Sequence, residues 1–114
     1  MNNKKLGTDF ENIMVDYLAK EGFWVHFISP DKKGAQPFDI IAVKNCTAFA
    51  MDCKTSKDHI FRISRLEENQ IFAFEKWLSC GNTTPYIAVK YKDDICMIPY
   101  ARLREEKKID LDEM

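Results

Sequence analysis

The stretch "PFDIIAVKNCTAFAMDCKTS", residues 37–56, reads as two apolar strands joined by a short polar turn. β-Branched and aromatic residues fill both arms, and "KNC" between them reads as the turn of a hairpin. Yet Asp39 opens the first arm, and Asp52 and Lys54 close the second. Burying an unpaired charge costs several kcal/mol, so charged groups on such strands need partners, and a metal ion is one. Side chains alternate across a strand, so Asp52 and Lys54 share one face while Met51 and Cys53 share the other. With the hairpin paired around its turn, Asp39 comes within reach of Asp52. Two carboxylates that close repel unless a cation lies between them, and their oxygens suit Mg²⁺.

Outward from the hairpin, the chain alternates helical and extended patterns. "TDFENIMVDYLAKEG" predicts a first helix with an apolar arc of Phe10, Ile13, Met14, Val15, Tyr17 and Leu18, and Gly22 as its stop. Glu11 falls inside that arc. It is either the partner of Thr8 in a capping box or a group turned toward a site, and the pattern alone leaves both open. "FWVHFI" predicts a strand and "SPDKKGAQP" a loop. A second helix is expected from near Ser64 to Gly81, with Ser64 and Glu67 as its capping box. Its apolar arc holds Leu66, Ile71, Ala73, Phe74, Trp77 and Leu78, with Gln70 among them as an amide in need of hydrogen-bond partners. "PYIAVKY" and "ICMIPY" predict two more strands turned at "KDD", "ARLREEKKI" a short last helix, and "DLDEM" a frayed end. The expected architecture is α/β, a mixed sheet flanked by helices, within one domain over 1–114 whose core spans about 7–99.

Composition narrows the function. The 114 residues are 46% hydrophobic and 31% charged, a globular balance, and the net charge of -1 lacks the strong basicity of many nucleic-acid binders. The charge is uneven, however: Lys32, Lys33, Lys54, Lys57, Arg62 and Arg65 crowd the middle, while "EEKKIDLDEM" is more acidic than basic. A local basic face is therefore compatible with the sequence. Apolar runs fall far short of the roughly 20 residues of a membrane span, so no membrane partner is expected. "MNNKKLGTDFEN" has no signal-peptide core, which makes a cytoplasmic location the expectation. Cys46, Cys53, Cys80 and Cys96 show no zinc spacing and read as reduced, buried thiols.

Taken together, Glu11, Asp39, Asp52, Lys54 and Gln70 are polar groups aimed at one side of one sheet. The set resembles the PD-(D/E)xK nuclease superfamily, in which an acid on the first helix precedes an aspartate opening one strand and an acid-x-lysine on the next. Asp39 and Asp52-Cys53-Lys54 match that motif, and the resemblance spans residues 7 to 91. Within the superfamily, "GTDFENIMVDYLAKEGFWV" resembles the opening of Holliday-junction resolvases. "DCKTSKDHIFRISRLEENQ" resembles the RecU type. Three features depart from that pattern: Phe38 directly precedes the motif aspartate, Asp52 stands where glutamate is commoner, and residues 29–37 form a short loop where RecU proteins carry a stalk.

The resemblance implies a restriction-endonuclease-like αβββαβ core and metal-assisted hydrolysis of DNA, most simply at a four-way junction. It implies Mg²⁺, with Mn²⁺ as substitute, held by Asp39, Asp52 and the backbone carbonyl of Cys53, and reached by Glu11 directly or through water. Lys54 would stabilise charge at the phosphoryl group, and Gln70 would help position it. For phosphate contacts we nominate Lys32, Lys33, Lys57, Arg62 and Arg65 on position and charge. Symmetric cutting implies a homodimer, with Phe72, opposite the second helix's apolar arc, as an interface candidate. Two alternatives remain: another nuclease of the superfamily acting on duplex, nicked or flap DNA, and a non-catalytic DNA-binding module whose aspartates are merely salt-bridged to Lys54.

Overall fold

The computed structural model describes residues 3–28 and 37–114. The loop carrying Lys32 and Lys33 lies outside the described residues. Helix α1 spans Asn3–Lys20, followed by strands β1 (Trp24–Phe27), β2 (Ile40–Lys44), β3 (Thr47–Ser56) and β4 (Ile60–Arg62). A single 3₁₀ turn (Ile63–Arg65) leads into α2 (Glu68–Ser79), then β5 (Tyr86–Tyr91), β6 (Asp94–Pro99), α3 (Tyr100–Glu106), β7 (Lys108–Asp110) and a last 3₁₀ turn, Leu111–Glu113.

Five strands form one mixed sheet in the order β1-β2-β3-β5-β6, as the alternation of helices and hairpins predicts. β3 and β5 are parallel, joined by the crossover through α2, and the other pairs are antiparallel. The hairpin turn falls on Asn45 and Cys46, both at positive φ (52° and 64°), the backbone that a two-residue type I′ turn demands. Helix α1 ends in a Schellman arrangement: Phe23 N–H donates to Leu18 C=O and Gly22 N–H to Ala19 C=O, with Gly22 at φ +92°.

Alternation divides the core between the two faces of the sheet. On one, Phe10, Met14 and Leu18 of α1 pack on Ile40, Ala42, Met51 and Ala88. On the other, Phe74 of α2 and Leu103 of α3 pack with Ile87, Val89 and Ile98. Ile13 and Tyr17, expected on the buried arc of α1, are instead 48% and 55% exposed. The helix lies against β1 and β3, so its flank toward the sheet edge stays open. There Tyr17 and Met14 border a groove of about 270 Å³ with Ile95 and Met97 of β6.

Two expectations about the ends of elements change. α2 begins at Glu68, not near Ser64, and its N-cap is Glu67. The amide Oε1 of Gln70 accepts from Glu67 N–H at 2.9 Å, so the capping pair is Glu67 and Gln70 rather than Ser64 and Glu67. The C-terminal segment does not fray: β7 pairs with β4 in a second, two-stranded sheet, and Ile109 and Leu111 are buried against Phe61 and Tyr91. Of the four cysteines, all free, only Cys96 is buried; Cys46 and Cys80 are exposed.

Candidate active site

The site forms where β2 begins. Asp39 lies one residue before the strand, yet its backbone already belongs to the sheet: its N–H donates to Met51 C=O (2.9 Å) and its C=O accepts from Ile28 N–H (2.8 Å). Its Oδ2 then accepts from Cys53 N–H at 2.7 Å, which fixes the carboxylate beside β3. Because Ile40 pairs with Met51, the next step of the register sets Asp39 opposite Asp52.

Asp52 is 2% exposed, and with Gln70 it is one of two buried polar or charged side chains among the described residues. Gln70 holds it from α2: Nε2 donates to Asp52 Oδ1 at 2.9 Å. The other end of that amide is 3.3 Å from Lys54 Nζ, and Lys54 Nζ also lies 3.3 Å from Asp52 Oδ2. That last distance is an ion-pair contact without hydrogen-bond alignment, for Asp52 Oδ2 has no hydrogen-bond partner. A buried carboxylate oxygen whose cationic neighbour is not aligned for a hydrogen bond is unusual. The two carboxylates set opposite each other there, Asp39 and Asp52, suit a hard divalent ion.

Electrostatics agree. Burial pushes the Asp52 carboxyl up to about 8, opposed by the charge of Lys54 and reinforced by the charge of Asp39. Burial, and then the Asp39 charge, raises Glu11 to about 7. Burial also pushes the Cys53 thiol up, with Asp39, Asp52 and Glu11 all contributing, so these acids share one field.

The expectation that all five groups lie on one side of the sheet needs correction. Glu11 comes from α1 and Gln70 from α2, which cover opposite faces. From the α1 side Glu11 shares the field of Asp39 and Cys53, and from the α2 side Gln70 bonds Asp52 and Lys54. The capping-box alternative for Glu11 falls away, since α1 starts at Asn3 and Thr8 is interior to it. The acids are not drawn into a tight trio, however. Among the described residues the one His/Cys/Asp/Glu group with ligand atoms all within 4.8 Å is His59, Asp110 and Asp112, at the β4–β7 sheet. His59 is distant in sequence from Asp110 and Asp112, and the cluster gave no signal in it; the His59 ring lies 3.3 Å from Asp110, and Lys92 is 3.6 Å from Asp112.

The nominated cations divide. Lys57 and Arg62 are exposed on the segment that leaves β3. Arg65 is engaged by the protein: Nη2 donates to Thr55 C=O at 2.9 Å, and the guanidinium lies over the Phe61 ring. It braces the strand next to Lys54.

A mixed five-stranded sheet with helices on both faces and an acid-x-lysine strand closing a hairpin is the architecture of the PD-(D/E)xK nuclease superfamily. The chain belongs to the archaeal Holliday junction resolvase (Hjc) family, whose model matches residues 2–113. The likeness to RecU is correspondingly only approximate. The chain is 28% identical over 91 residues to the crossover junction endodeoxyribonuclease Hje of Saccharolobus islandicus (strain REY15A), covering 79% of this chain and 67% of that protein. Its fold matches the solved Hjc of Archaeoglobus fulgidus, a Holliday junction resolvase, with a TM-score of 0.69 over 91% of this chain and 86% of that one, at 24% identity. Among the described residues no helix is long and apolar enough to cross a membrane.

Proposed function

We propose that the protein is a Mg²⁺-dependent endonuclease that resolves four-way DNA junctions as a homodimer in the cytoplasm, its 114 residues acting as one domain. The observation that carries the reading is the buried Asp52 carboxylate, its Oδ2 without an aligned hydrogen bond, beside Asp39 and Lys54 in a chain of the resolvase family. Asp39, Asp52 and the Cys53 carbonyl would hold the ion, with Glu11 on its outer side and Mn²⁺ as an acceptable substitute. When bound, the ion supplies Lewis-acid polarisation of the phosphodiester and eases proton loss from water. The chain's own residues do the rest. The Lys54 ammonium, held by Gln70 Oε1, offsets negative charge growing on the phosphoryl oxygens. Gln70, clamped to Glu67 N–H, fixes Asp52 and Lys54 relative to each other. Glu11, with its carboxyl near 7, is suited to hold or accept a proton at working pH.

For the dimer, α2 offers an apolar flank: Phe72 is 75% exposed and borders a groove of about 330 Å³ with Phe38, Ala73 and Trp77. A second copy seated there would set two sites for symmetric cuts. Lys32, Lys33, Lys57 and Arg62 would contact phosphates.

Cleavage of a four-way junction, a linear duplex and a flap in Mg²⁺ tests the proposal. Paired symmetric nicks at the junction, absent in Asp52→Asn, are expected. Equal or faster cutting of linear duplex or flap would overturn junction resolution in favour of another activity of the superfamily.

A further inference from the structure

The two-stranded β4–β7 sheet carries a feature that the site does not use. Phe61 and Ile109, opposite each other, turn inward and are 0% and 2% exposed, which anchors the ribbon to the core. The neighbouring pair, Arg62 opposite Lys108, therefore turns outward, and both are exposed. Directly opposed side chains on antiparallel strands stand about 5 Å apart at Cβ, and like charges there are destabilising. Lys107 adds a third cation. Its C=O accepts from Ile63 N–H at 2.9 Å, and its own backbone is left-handed at φ 70°, a position glycine occupies at lower cost.

Among the described residues none of these three cations is in an ion pair. Of the nearby acids, Glu106 is paired with Arg102, and Asp110 lies against the His59 ring. The ribbon is also joined to the site. Arg62 runs straight into the 3₁₀ turn whose Arg65 is bonded to Thr55, the residue after Lys54. An exposed basic edge joined through Arg65 to the strand of Lys54 suits a polyanion.

We infer that Arg62, Lys107 and Lys108 form a phosphate-binding ribbon that holds the DNA backbone of one arm beside the site. The tail thus contributes two DNA contacts, although its sequence is on balance acidic. The inference rests on the nuclease reading.

The experiment is fluorescence anisotropy of a four-way junction in EDTA, where no cleavage occurs, over a range of salt concentrations. The double variant Lys107→Ala/Lys108→Ala is compared with wild type and with Lys20→Ala, an exposed lysine on the last turn of α1. Each phosphate contact contributes about 0.9 to the slope of log Kd against log salt, so the double variant should lower that slope by about 2 and weaken binding. Its Tm should hold or rise, because like-charge repulsion has been removed; a structural role would instead lower it. Wild-type binding with a double-variant slope no different from that of Lys20→Ala would overturn the ribbon alone. Wild-type protein that bound no DNA would overturn the nuclease reading as well.

Discussion

At Asp52 two costs compete: a charged carboxylate buried beside Asp39, or a protonated one that gives up its attraction to Lys54. With its carboxyl raised to about 8, against an ordinary value near 4, the folded metal-free chain keeps a proton that the unfolded chain has lost. The stability this contributes is full below about 4 and disappears as pH rises through about 8. Glu11, raised to about 7, acts with the same sign. Urea unfolding in EDTA should therefore give lower stability at pH 8 than at pH 5, with a smaller drop in Asp52→Asn. Adding Mg²⁺ should stabilise the wild type more at pH 8 than at pH 5, because fewer protons need be displaced. Equal pH dependence in wild type and Asp52→Asn would contradict this. The pair Asp52 and Lys54 was legible in the sequence, because strand alternation alone sets both on one face. The resemblance also placed Gln70 beside the lysine, but which atoms its amide engages, Asp52 Oδ1, Lys54 Nζ and Glu67 N–H, follows only from the packing of α2 on the sheet.

Elements were legible where one segment carries its own signal. The hairpin could be read because its arms are apolar and its turn short, and Gly22 marked a helix end that it closes. The β4–β7 sheet could not be read. Each strand has three residues, too few to show alternation, and the pairing of Ile60 with Asp110 spans most of the second half of the chain. The start of α2 was misread because Ser64 and Glu67 satisfy the capping pattern locally, whereas Arg65 is drawn back to Thr55 and keeps the preceding turn 3₁₀. The hairpin turn itself yields a prediction. Cys46 holds φ 64° with an exposed side chain, and a left-handed L-residue costs about 1–2 kcal/mol. Cys46→Gly should raise the urea midpoint, with a gain in unfolding free energy of about 1 kcal/mol or less after the added freedom of the unfolded chain is set against it. A lower midpoint would mean that the turn is not left-handed there.

Over the whole molecule, the proposed function asks for two convergences. Within the chain, helices on opposite faces of one sheet each supply a residue of the proposed centre, Glu11 and Gln70, which are 59 positions apart. Periodicity could assign each to an inward arc, but could not say that the arcs belong to different faces. Between chains, the exposed Phe72 was visible from its place opposite the apolar arc of α2, and the adjoining Phe38–Trp77 groove was not. Phe72→Glu should halve the mass measured by light scattering and cost paired cutting while sparing the monomer's Tm; an unchanged mass would remove α2 from the interface.

The claim beneath all of this is that Asp39 and Asp52 jointly bind a divalent ion. Calorimetric titration of Mn²⁺ into the DNA-free protein at pH 8 tests it most directly. Saturable binding in the wild type that is lost in both Asp39→Asn and Asp52→Asn is the predicted result. Binding that survives unchanged in either variant, or that is lost only when His59, Asp110 or Asp112 is replaced, would contradict it.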